Sequence, residues 1–218
     1  MYRLYDYLPS GNGYKVRLLL TQLQIPFDYV DLDIVEGETR TADYLAKNPN
    51  GKVPLLEAGP NQYLAESNAI LMYLSEGTDY LPSDRWMRSQ VLQWMFFEQY
   101  SHEPNIATPR FWLNHLPALN DYQKVALPYK QEQGYAALDV LEAHLTHHPF
   151  LVAGRYTVAD IALFAYTHVA PEGNFDLSRY PGILRWIEQV QAQPRHIPIT
   201  HVPPSPSPEP KDSQSDYT

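Results

Sequence analysis

Asn48-Pro49-Asn50-Gly51-Lys52-Val53-Pro54-Leu55-Leu56, followed a short way on by Leu64-Ala65-Glu66-Ser67-Asn68-Ala69-Ile70, decides how this chain is read. A proline set among the apolar residues of a short strand removes a ladder donor, so Pro54 marks an edge where something other than the protein's own backbone pairs. Glu66 and Ser67 stand where an apolar-periodic helix begins. That places exposed backbone donors and a hydroxyl at a ready anion site. An extended peptide with a charged end satisfies both features at once.

The rest of the chain narrows the partner. At 218 residues, 44% of them hydrophobic, with four Trp and seventeen Tyr, it can bury one large core or two modest ones. A net charge of -9 gives no basic footprint, so nucleic acid and anionic membrane are disfavoured as partners. No apolar run is long enough to cross a bilayer and no leader-like h-region opens the chain, so the expectation is a soluble, cytoplasmic protein. With zero cysteines there is no disulfide, thiolate zinc site or protein thiol nucleophile. Sulfur chemistry has to come from a ligand. His144 and His148 share a helical face, but no carboxylate sits at matching spacing and Pro149 ends the helix, so no metal is expected.

Around the opening stretch the elements fall into order. Tyr2 to Tyr7 reads as a strand, and Gly11-Asn12-Gly13 turns into a helix with Val16, Leu19, Leu20 and Leu23 on one face. Val30, Leu32 and Ile34 alternate with Asp31 and Asp33 as a half-buried strand. A short helix near Ala42 to Ala46, a hairpin of Val53 to Leu56 with Gln62 to Leu64, and a helix from Ser67 to Ser75 follow. This βαβ-ββα order predicts an α/β thioredoxin-like domain over 1–78. After a linker at 79–85, long helical patterns from Trp86 to about Ser101, Tyr122 to about His147, Val158 to about Val169 and Pro181 to about Gln193 predict an all-α domain over 86–200. Thr157 to Asp160 fits a capping box. The Pro/Ser-rich residues 201–218 are expected to form a disordered tail.

Four separated elements, Pro9-Ser10-Gly11-Asn12, Asn48 to Pro54, Glu66 to Ile70 and Thr157 to Asp160, together resemble the cytosolic glutathione S-transferases. The opening Tyr7-Leu8-Pro9-Ser10-Gly11-Asn12-Gly13 most resembles bacterial and fungal members with a Ser or Thr plus Asn motif, the nu-like and theta-like branches. The resemblance implies that Val53 pairs through its backbone with the cysteinyl unit of glutathione beside a cis Pro54. It implies that Glu66 and Ser67 hold the γ-glutamyl end. For the glycine carboxylate the basic candidates are Lys52 first and Arg40 second.

A glutathione thiol is mostly protonated at neutral pH, so a transferase must stabilise the thiolate. Ser10 and Asn12 are the expected donors to sulfur, Ser10 by its hydroxyl at a helix start and Asn12 by its amide. Tyr7 is expected in the pocket wall. The second substrate should bind between the domains, where the helix bearing Phe96, Phe97 and Tyr100 and the later Phe111 and Trp112 supply aromatic surface. The polar run Glu98 to Arg110 offers His102, Glu103 and Arg110 to that cleft or to a dimer partner. The resemblance implies a homodimer that conjugates glutathione, as co-substrate, to a small hydrophobic electrophile, a detoxification chemistry. A glutathione-dependent disulfide or peroxide reductase is the alternative enzyme, and a non-catalytic glutathione-transferase-like binding module the alternative of another class.

Overall fold

The first strand divides its side chains between two faces, as a period of two requires. In a computed structural model that describes residues 1–204, β1 (Tyr2–Asp6) sends Leu4 into the main core and Tyr5 to the opposite side. Parallel to it runs β2 (Phe27–Asp31), reached through α1 (Gly11–Gln22). β3 (Leu55–Gly59) and β4 (Gln62–Ala65) add antiparallel, giving the sheet order β2-β1-β3-β4. On Tyr5's side, α2 (Ala42–Lys47) packs Tyr44 edge-on to Tyr5 with ring centroids 6.1 Å apart. On Leu4's side lie α1 and α3 (Ser67–Ser75), where Leu4, Leu18, Leu56 and Ile70 are fully buried. Each such side chain contributes about 1.5–3 kcal/mol. This is the thioredoxin-like arrangement.

Two of the expected boundaries move. The second strand stops at Asp31 instead of running on through Ile34, because the Asp33 carboxylate accepts from the N–H groups of Val35 (2.8 Å) and Glu36 (3.1 Å) and starts a turn. The third begins at Leu55, leaving Val53 outside the ladder; among the described residues neither its N–H nor its carbonyl is hydrogen-bonded. The Val53–Pro54 bond is cis.

The helical region contains α4 (Arg85–Phe97), α5 (Glu103–Asn114), α6 (Asp121–Leu145), α7 (Val158–Thr167) and α8 (Pro181–Gln191). The first expected helix ends at Phe97, not near Ser101, and a π-helical turn over Glu98–His102 leads into α5, which the sequence reading passed over. Pro104 occupies the first turn of α5, where a missing N–H costs nothing, whereas Pro109 lies within the helix. The expected cap holds α7: Asp160 accepts from the Thr157 N–H at 2.8 Å and its hydroxyl at 3.1 Å, and also from Leu151 N–H and Trp186 Nε1. Complete burial raises the Asp160 carboxyl to about 6 in spite of these four donors.

α1 is the element shared by both regions, packed on α3 and on α7. It buries two cations, Lys15 and Arg17. Arg17 Nε lies 2.9 Å from Asp6, out of line for a hydrogen bond, while its terminal nitrogens donate to the carbonyls of Leu8, Ile199 and His201. The expected tail therefore does not begin at 201: the His201 carbonyl is tied down and Pro203 is buried. The remainder of that expected tail, 205–218, lies outside the described residues.

Candidate active site

Where the carboxyl ends of β1 and β2 face α5, a cavity of about 480 Å³ opens between the two regions. On the sheet side it is walled by Lys52, Val53, Pro54, Glu66 and Ser67, on the helical side by Glu103, Arg110, Phe111, Trp112 and His115, and at its floor by Ser10 and Asn12. The three sequence segments expected to grip a peptide thus meet in one space.

At the mouth, Arg40 and Lys52 are exposed and pair with no acid among the described residues. Arg40 reaches the Asn50 carbonyl at 3.2 Å. The Lys52 carbonyl accepts from Tyr44 Oη at 2.7 Å and Asn48 Nδ2 at 2.8 Å, fixing the bend that presents Val53. At the start of α3, Glu66 holds a positive φ of 68°, a conformation costing on the order of 1 kcal/mol or more for a non-glycine residue. That turn points the free N–H groups of the first helical residues, with the Ser67 hydroxyl, at the cavity.

The floor is built from α1's first turn. Ser10 is its N-cap: its Oγ accepts from Gly13 N–H at 3.2 Å, which leaves the hydroxyl proton free to donate. No side chain fits at the next two glycines. A Cβ on Gly11 would stand 2.5 Å from the Tyr166 ring, and one on Gly13 1.5 Å from Asp6 Oδ1. Burial raises Asp6 to about 7 against the pull of Arg17. The Asn12 N–H donates to Tyr166 Oη at 3.2 Å, and burial raises that phenol, which stays neutral.

The Asn12 side chain is oriented by three partners. Its Oδ1 accepts from Lys15 Nζ at 2.8 Å and Ser67 Oγ at 3.2 Å, and its Nδ2 donates to Glu103 Oε1 at 3.2 Å. One amide proton remains. Lys15 is wholly buried and pairs with the equally buried Glu98 at 2.8 Å; Glu98 also accepts from Asn68 Nδ2 at 3.0 Å and Gln99 Nε2 at 2.8 Å. A cation on the amide oxygen strengthens the amide's N–H as a donor. The floor can therefore offer two directed donors and the positive end of α1 to an anion.

Of the cleft candidates, Tyr7 lines the cavity with its ring edge-on to His115 at 6.2 Å, and burial raises its phenol. Arg110 lines it too, clamping the Pro9 carbonyl at 2.7 Å while Glu172 holds Nε at 2.7 Å. His102 does not. It is fully buried with Nε2 at 2.9 Å from Thr167 Oγ1, because the π turn directs it into the core; burial lowers it to about 3. Among the aromatics, Phe111 and Trp112 reach the cavity, whereas Phe97 packs on the core and Phe96 and Tyr100 lie 69% and 88% exposed on the outer surface. His144, on α6, sits against the Phe150 carbonyl at 3.3 Å and stacks on His148.

The residues that sequence reasoning missed are Lys15, Glu98 and Tyr166. A signal existed for the first two: a lysine on a helix otherwise apolar on both sides, and one acid in an aromatic helix, each needing a buried partner.

Comparison with known proteins agrees with this geometry. The family model "Glutathione S-transferase, N-terminal domain" matches residues 1–76 and "Glutathione S-transferase, C-terminal domain" residues 94–194. A solved glutathione S-transferase from Pseudomonas fluorescens superimposes with a TM-score of 0.89 at 50% identity, covering 92% of this chain and 99% of that one. Glutathione S-transferase 3 of Zea mays is 31% identical, over 94% of this chain and 97% of its own length. The disulfide-bond oxidoreductase YfcG of Escherichia coli is 27% identical, over 86% and 89%. With a thioredoxin-like sheet, a helical second region and matching models for both, the chain belongs to the glutathione S-transferase superfamily.

Proposed function

We propose that the protein is a glutathione transferase that binds the tripeptide along Val53, sets its γ-glutamyl end on Glu66 and Ser67, and holds its sulfur as thiolate on the Ser10 hydroxyl and the remaining Asn12 amide proton. Lys52, with Arg40 beside it, receives the glycine carboxylate. The observation that carries this reading is the convergence of an unpaired strand-edge residue, a helix-start anion site and two directed donors on one cavity. The thiolate attacks a small hydrophobic electrophile lodged against Tyr7, Phe111 and Trp112. Calorimetric titration with glutathione tests it: saturable binding is expected, and no heat at millimolar ligand would overturn it.

A second reading, reduction of disulfides or peroxides by the same thiolate, is favoured by the likeness to YfcG, a disulfide-bond oxidoreductase, and by the polar groups beside the aromatic wall. Assaying 1-chloro-2,4-dinitrobenzene beside a mixed disulfide separates the two. We infer further a cytoplasmic homodimer. Exposed Phe96 and Tyr100 support the association, being the apolar side chains a second copy would cover. Residues 1–78 and 86–200 are read as its two domains, joined at 79–85; the gap between Ser75 and Arg85 supports that division.

A further inference from the structure

Transfer of a thiol's sulfur leaves a proton to be placed. In the floor of the cavity one carboxyl stands next to the sulfur site, that of Glu103 at the first residue of α5. Its Oε1 takes one Nδ2 proton of Asn12 at 3.2 Å, and the sulfur proposed above takes the other. Two acceptors on one planar amide nitrogen, each about 3 Å from it, stand roughly 5 Å apart. That span is crossed directly after a small shift or through one water.

The surroundings suit an acid that also has to act as a base. Burial raises Glu103, and Glu98 adds to the rise; Lys15 from α1, the Asn12 amide and Lys52 at the cavity mouth oppose it. The remaining group facing it, the Tyr166 phenol of α7, is itself pushed up and does not compete for the proton. A carboxyl raised toward neutrality can both accept and return a proton there.

We propose that Glu103 is the proton relay of this site, and that the reaction needing such a relay is glutathione-dependent reduction of a disulfide. The inference rests on the glutathione site proposed above and names its substrate class. The thiol S–H breaks and its proton passes to the Glu103 carboxylate. The sulfur's electron pair attacks one disulfide sulfur, forming a mixed disulfide with glutathione. The old S–S bond breaks with its pair on the departing sulfur, which takes the proton from Glu103 and leaves as a thiol. A second glutathione resolves the mixed disulfide by the same cycle. An aryl halide has no use for the relay, since chloride departs unprotonated.

Glu103→Gln tests it, because the amide oxygen still accepts from Asn12 while the acid is gone. Reduction of 2-hydroxyethyl disulfide is expected to fall about 100-fold, and Glu103→Asp to recover part of that rate. The absorbance of bound thiolate is expected to titrate at lower pH in the Gln variant, since a neighbouring negative charge has been removed. Conjugation of 1-chloro-2,4-dinitrobenzene at mildly acidic pH therefore rises while disulfide reduction falls. Equal losses on both substrates, an undiminished disulfide rate, or a thiolate titration moved upward would each overturn the relay. A wild-type protein that binds glutathione and conjugates the halide but reduces no disulfide overturns this inference alone; one that binds no glutathione overturns the site itself.

Discussion

The two ends of the cavity are built on opposite principles. The mouth, from Arg40 through Pro54 to Glu66, uses exposed charges and unpaired backbone groups carried on short local turns. The floor uses side chains buried among themselves: Asn12, Lys15, Ser67 and Glu98 form one hydrogen-bonded set that spans both regions, with Glu103 attached through Asn12. A group at the mouth exchanges water for ligand and costs little to remove. A group on the floor has already lost its water, so its partner is left stranded when it goes. Recognition and structural integrity are thus separable at one end and fused at the other.

The largest effect should come from Lys15→Met, which leaves Glu98 buried with only neutral donors. A loss of about 3–5 kcal/mol in urea unfolding is expected. Replacing Glu98 by Leu as well should restore most of it, and a double variant no better than the single would break the contrast.

Ser10→Ala comes next. It removes a donor to sulfur and a helix cap together, so turnover should fall about 100-fold or more, while stability drops by about 1 kcal/mol.

Acid should reach the floor before the mouth. His102 is buried neutral and lowered to about 3 from 6.5, so between those values the unfolded chain binds a proton the folded one refuses. Its contribution is whole above 6.5 and is lost as pH falls through the window, by about 1.4 kcal/mol for each unit. Burial lowers His168 to about 4, with the same sign. His102→Gln should flatten the acid limb of a stability-against-pH curve, and an unaltered limb would assign it elsewhere. Smallest is Lys52→Ala: roughly fivefold weaker glutathione binding by calorimetry, about 1 kcal/mol, with stability unchanged within about 0.5 kcal/mol.

The same contrast sets what the sequence could say. Mouth residues carry their signal locally: a proline beside a free strand edge and a Glu-Ser at a helix start are legible within a few positions, and α3 falls on Ser67–Ser75 as read. α5 was missed because two prolines in a polar run argue for a loop, whereas its polarity is the inward face of a helix meeting the first region at Asn12 and Pro9. The second strand was overextended because alternating Asp31 and Asp33 keep the period of two until a side chain turns the backbone. Lys15 and Glu98 lie 83 positions apart; only the fold says that two buried charges are one pair. His102 shared its polar run with Glu103 and Arg110, and its burial depends on a π turn that no spacing rule announces.

The central claim is that a floor of two directed donors keeps glutathione as thiolate. It is tested most directly by titrating the absorbance of bound glutathione against pH in the wild type and in Ser10→Ala. The thiolate should persist in the wild type well below the roughly 8.5 of a free thiol, and its titration should move upward in the variant. A bound thiol that titrates like the free one, or a curve that Ser10→Ala leaves unmoved, would contradict it.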